Sequence, residues 1–150
     1  MLPFGVFAGI LVMDQVTKHL VRTLMTVGES IPAEGFFRLV YVRNTGAAFG
    51  ILEDGRPFLI AVSVIALSMV FWLLASRRIG FLNQPLGLVA LGLVGGGIAG
   101  NLIDRVAFGY VTDFISAGIW PNFNIADSAL VVGMILLGVL YLRSEQTDAR

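Results

Sequence analysis

The sequence predicts an all-α membrane protein, four transmembrane helices with a small extracytoplasmic β element in the first loop. Three observations predict it. Hydrophobic residues make up 57% of the 150-residue chain at a mean hydropathy of +0.86, more than a soluble domain of this length usually carries. Apolar runs close to twenty residues recur, the length that crosses a hydrocarbon core. Only 13% of residues are charged, and several of these fall in dense polar segments, Asn101 to Asp113 and Asn124 to Ser128.

The first span, 4–24, is the most polar, because Asp14, Lys18, His19 and Arg22 lie in it. It has no basic leader, Asp14 breaks its apolar run, and no Ala-x-Ala site follows, so it reads as a span and not as a cleaved signal peptide. Asp14 and Lys18, four apart, share a helix face. Pairing inside the bundle lowers the cost of burying either one; the alternative is that Asp14 orients a catalytic group or a loop. Lys18 is expected nearer the outer surface, free to snorkel there. In the loop that follows, Phe36 to Arg43 mixes aromatic and β-branched residues with two arginines, the pattern of a short strand or hairpin. Its apolar side would rest on the outer membrane surface. Asn44 to Gly50 is a small-residue stretch that permits tight turns.

The second span, 57–76, holds no charge, and the third, 82–103, lies in the uncharged stretch Ile79 to Ile103. Within it Gly92, Gly96 and Gly100 repeat at intervals of four, the small-xxx-small spacing that lets membrane helices approach closely. The fourth span, 126–142, is apolar after Asp127 and Ser128. Four spans put both termini on one side. Arg77 and Arg78 in the short second loop, and Arg143 past the last span, assign that side to the cytoplasm. The segments around Arg105, Asp113 and Asn124 then face outward.

Composition excludes several chemistries. The formal net charge is zero, so no nucleic-acid partner is expected. The absence of cysteine removes disulfides, thiol nucleophiles and thiolate metal sites. A single histidine, His19, supports neither a Ser-His triad nor a His-rich zinc site. No metal and no cofactor are expected.

An ionisable residue in or beside a bilayer is a functional candidate by default, which singles out Asp104, Asp113 and Asp127. Asn101 and Arg105 share a helix face. Arg105 keeps its charge and needs an anion or the interface; it would hold a substrate carbonyl or a lipid phosphate. Asp104 and Arg105 read equally as a helix-end ion pair. Asp113 sits among β-branched and aromatic neighbours that would desolvate it and raise its pKa. Asn124 to Asp127 resembles a capping box, and a helix N-terminus favours Asp127 as an anion; capping and catalysis are compatible there. If Asp113 and Asp127 meet, the two cannot both ionise easily. The ionised one can activate water; the protonated one can polarise a peptide carbonyl and protonate the leaving amine. A proton- or cation-coupled transporter is the rival reading, disfavoured because the acids cluster at one membrane side and no broken-helix repeat is present. Metal-assisted hydrolysis by the aspartates is a third.

Five ordered motifs sharpen this reading: Asp14-Gln15-Val16-Thr17-Lys18, Asn44-Thr45-Gly46-Ala47-Ala48-Phe49, Gly100-Asn101-Leu102-Ile103-Asp104-Arg105, Val111-Thr112-Asp113-Phe114 and Phe123-Asn124-Ile125-Ala126-Asp127-Ser128. In order and spacing they resemble those of the bacterial lipoprotein signal peptidases, signal peptidase II. The resemblance implies an aspartic endopeptidase of the bacterial inner membrane with four spans. Such an enzyme removes signal peptides from prolipoproteins, cutting before a diacylglyceryl-modified cysteine. It implies Asp113 and Asp127 as the catalytic pair, with Asp14, Asn44, Asn101, Arg105 and Asn124 as supporting or substrate-binding residues and Asp104 as structural. Prolipoproteins, membrane lipid and the inhibitor globomycin are then the expected partners, and the chain is expected to act as a monomer. Members of the family often begin with basic residues; this chain begins Met1-Leu2-Pro3-Phe4.

Overall fold

The computed structural model describes residues 1–46 and 55–148. Much of the small-residue stretch read between Asn44 and Gly50 therefore lies outside the described residues. In chain order the elements are α1 (Leu2–Leu24), β1 (Ser30–Ile31), β2 (Phe37–Asn44), α2 (Arg56–Ser76), a 3-10 turn (Gly80–Asn83), α3 (Pro85–Ala107), β3 (Val111–Ala117) and α4 (Ile125–Asp148). Proline occupies the first turn of α1, α2 and α3, where its missing N–H costs nothing. The sequence predicts the third span from residue 82. The structure has the 3-10 turn at that point, and the α-helix starts at Pro85.

All four long helices are apolar enough to cross a membrane. Their exposed surfaces carry large hydrophobic side chains such as Val12, Val16, Phe58, Ile65, Met69, Trp72, Val131 and Ile135, as lipid-facing helices do. The helices are not equivalent. In its most apolar stretch α3 is 67% buried against 6% for α2, so α3 is the inner helix and the other three surround it. Glycine makes this possible. A Cβ at Gly92 would lie 2.7 Å from the Pro3 carbonyl and one at Gly96 2.9 Å from that of Phe7, both on α1. One turned round the helix at Gly97 would lie 2.5 Å from the Ala126 carbonyl on α4. The four-residue repeat thus seats α1, and the neighbouring Gly97 seats α4.

Strands β1, β2 and β3 form an antiparallel sheet in that order. The first loop supplies two of them, in line with its strand pattern. The third comes from the segment after α3, where the sequence suggested only a short apolar stretch. Pairing runs from Phe37 opposite Ala117 to Asn44 opposite Val111, with an irregularity between Leu39 and Val42. One face of the sheet closes over the C-terminal end of α1, where Tyr41 and Phe114 pack on Val21 and Met25. Arg56, at the start of α2, donates to the carbonyls of Arg105 and Val106 at 2.9 and 3.2 Å, satisfying the end of α3.

Candidate active site

Sheet register and helix start together set the position of the two aspartates. Asp113 lies on β3 opposite Val42, and Asn44, two residues further along β2, projects to the same face. Asp127 stands in the first turn of α4. There Asn124 Oδ1 accepts the Asp127 N–H at 3.0 Å while Asp127 Oδ2 accepts the Asn124 N–H at 3.1 Å. This is the reciprocal capping box that the sequence suggested. Asn124 does more than cap: its Nδ2 donates to Asp113 Oδ1 at 2.8 Å and to Asn101 Oδ1 at 3.2 Å.

Every carboxylate oxygen of the two aspartates accepts one N–H. Asn44 Nδ2 reaches Asp113 Oδ2 at 2.9 Å and Asn101 Nδ2 reaches Asp127 Oδ1 at 2.7 Å; Asn124 supplies the remaining two bonds, one from its side chain and one from its backbone. Asp113 is 2% exposed. Burial, with the nearby Asp127 charge second, pushes its carboxyl up to about 7, against the opposing pull of Asn44, Asn124 and the Lys18 cation. Arg105 is near enough to Asp127, Asp113 and Asp104 to sense their charges, and its Nη2 donates to the Gly46 carbonyl at 3.5 Å. Both aspartates, Asn44, Asn101 and Arg105 line one cavity of about 740 Å³, whose apolar wall includes Trp120, Phe123, Leu130 and Val131.

Beneath the pair lies a second polar layer, buried at Asp14, Lys18, Asp104 and Thr112. Asp14 Oδ1 accepts the Ala126 N–H at 3.0 Å, so Asp14 braces the start of α4 and not a loop. Lys18 pairs with Asp14 at 2.8 Å and with Asp104 at 3.5 Å, and donates to Asn101 Oδ1 at 2.9 Å. Two sequence expectations change here. Lys18 does not snorkel: it is 0% exposed, because two carboxylates and an amide meet it inside. Asp104 pairs with Lys18 and Arg22 and accepts the Thr112 N–H, and no ion pair joins it to Arg105 among the described residues. Adjacent residues point to different faces of a helix, which separates Asp104 from Arg105. Arg22, Gln15 and Thr112 also belong to this layer: Arg22 bonds Thr112 Oγ1 at 3.0 Å, and Gln15 Nε2 bonds both Asp14 and Asp104. One sequence signal marks the layer, since Asp14, Lys18 and Arg22 recur every four residues in an otherwise apolar helix.

A family model described as signal peptidase (SPase) II matches residues 6–143. The chain belongs to the signal peptidase II family. Curated relatives bear the name lipoprotein signal peptidase. One from Dehalococcoides mccartyi is 48% identical over 136 residues, covering 90% of this chain and 85% of that protein. Another, from Geobacter sulfurreducens, is 43% identical and covers 97% of this chain and 94% of its own length. The fold is also that of a solved bacterial membrane enzyme, with a TM-score of 0.85 at 33% identity, spanning 97% of this chain and 90% of that one. Signal peptidase II removes signal peptides from prolipoproteins, and this member is a multi-pass membrane protein of that fold.

Proposed function

We propose that the chain is an aspartic endopeptidase that cleaves diacylglyceryl-modified prolipoproteins before the lipidated cysteine, with Asp113 and Asp127 as its catalytic pair. One observation carries the reading. Two carboxylates, one on a strand and one in the first turn of a helix, face one cavity, each oxygen held by a single amide N–H, with Arg105 beside them. Charge balance supports a shared proton. Asp14, Asp104, Asp113 and Asp127 are met by Lys18, Arg22 and Arg105, so one proton on the catalytic pair leaves this buried cluster neutral. The ionised aspartate draws a proton from water as the water attacks the scissile carbonyl; its protonated partner hydrogen-bonds the carbonyl oxygen and then protonates the departing amine.

Asn44, Asn101 and Asn124 hold the pair, Asp14 holds the helix that carries Asp127, and Arg105 steadies the substrate backbone. The apolar wall around Trp120 and Val131 receives the lipid-bearing part of the substrate. The enzyme sits in the bacterial inner membrane as a monomer, a single domain with both termini cytoplasmic and the site near the outer face, and globomycin competes for the cavity. Purified protein incubated with a diacylglyceryl-modified prolipoprotein tests this by gel shift. Asp113→Asn and Asp127→Asn should each abolish a cleavage that wild type performs and globomycin blocks, while both variants stay folded. Full activity in either variant rejects the assignment. Rate loss on adding a chelator would point to a metal-assisted reaction, and pH-driven flux in sealed vesicles to a transporter.

A further inference from the structure

Lys18 has more to do than neutralise Asp14. Its buried ammonium has three N–H groups, and three acceptors surround it: Asp14 Oδ2 at 2.8 Å, Asn101 Oδ1 at 2.9 Å and Asp104 Oδ2 at 3.5 Å. An ammonium only donates, so the face that Asn101 turns toward it must be the carbonyl. The planar amide then presents its NH₂ on the opposite side, where Asp127 Oδ1 lies at 2.7 Å. Asn124 also donates to Asn101 Oδ1, but at 3.2 Å and with an NH₂ shared with Asp113 and the Thr112 carbonyl. The shorter, charge-assisted bond from Lys18 is the one that fixes the amide.

We propose that Lys18 is a positioning residue for peptide cleavage, holding Asp127 in place through Asn101; this rests on the reading of Asp113 and Asp127 as the catalytic pair. Compensating Asp14 needs no bond to Asn101. Without the ammonium, Asn101 keeps only the weak Asn124 contact on its carbonyl side, and its amide is free to turn its oxygen toward Asp127. Two oxygens would then face each other, and the aspartate would move off its line to the cavity.

The experiment compares wild type, Asp14→Asn, Lys18→Met and the double variant Asp14→Asn/Lys18→Met, in detergent, on the modified prolipoprotein. Neutral side chains of similar size replace the ion pair in the double variant, and an asparagine at 14 still offers an oxygen to the Ala126 N–H. The charged groups around the pair are Asp14, Lys18 and Arg22 on α1, Asp104 and Arg105 on α3, Asp113 on β3 and Asp127 on α4. The positioning role predicts that both Lys18 variants lose kcat by about tenfold or more with KM changed far less. For Lys18→Met alone, where a cation near the pair is gone while Asp14 stays charged, it also predicts that the acid limb of the rate profile moves to higher pH. Asp14→Asn, which keeps Lys18 on Asn101, should lose less. A double variant with wild-type kcat overturns the proposal, as does failure of both Lys18 variants to fold, which would make the lysine purely structural. If wild type itself does not cleave, the underlying reading fails instead.

Discussion

Asp113 is the residue whose chemistry is most exposed to test. Its carboxyl rises from 3.8 to about 7 because burial and the Asp127 charge both favour the neutral form. A raised folded-state value means the folded protein holds this proton more tightly than the unfolded chain does. Its contribution to stability is complete below pH 3.8 and is lost as pH climbs through about 7. Cleavage that needs one proton on the pair should therefore fall away above about pH 7, and a rate profile against pH measures that limb. Asn44→Ala removes a donor that favours the Asp113 anion, so the alkaline limb of that variant should move to higher pH at a reduced maximal rate. An unmoved limb would mean that Asp113 does not set it.

At the scale of the elements, α3 decides how tightly the site is assembled. A methyl group at Gly97 would meet the Ala126 carbonyl at 2.5 Å, immediately beside Asp127, whereas one at Gly5 meets nothing within 4 Å. Gly97→Ala should destabilise the protein by about 1–3 kcal/mol through overpacking and lower its activity with it. Gly5→Ala should leave the melting temperature in detergent unchanged or slightly raised. The elements also differ in how plainly the sequence announced them. Long apolar runs mark the helices, least plainly α1 with its Asp14, Lys18 and Arg22, and Phe36 to Arg43 reveals β2 by its residue types. Strand β3 stayed hidden because it pairs with β2 about seventy residues back, and nothing within Val111 to Ala117 names that partner. The candidate site shows the same division. Asp127 and Asn124 are legible as a local capping pattern, while the junction of Lys18 with Asn101 and Asp104 is a contact across more than eighty residues. Motif order brought these residues to notice; only packing reveals which of them touch.

For the whole molecule the issue is which way it lies in the bilayer. The chain has no cysteine, so single cysteines can be introduced one at a time and labelled without background. Positions 78 and 144 should react with a membrane-impermeant thiol reagent only from the cytoplasmic side, and position 120, which is 67% exposed beside the cavity, only from the outer side. Labelling of 78 and 120 from the same side would invalidate the four-span topology.

In the proposed mechanism, the amides of Asn44, Asn101 and Asn124 bear on what happens while a proton travels from water to one aspartate and from the other to the leaving group. Carboxamides neither gain nor shed protons in the range where enzymes work. The scaffold gripping Asp113 and Asp127 thus keeps one fixed set of dipoles through every stage of a catalytic cycle, whichever carboxyl is charged. Histidines or lysines in the same places would change state along with the reaction and force their surroundings to readjust. Inside a membrane, where little water is at hand to absorb such readjustment, constancy of the surroundings is itself a contribution to rate.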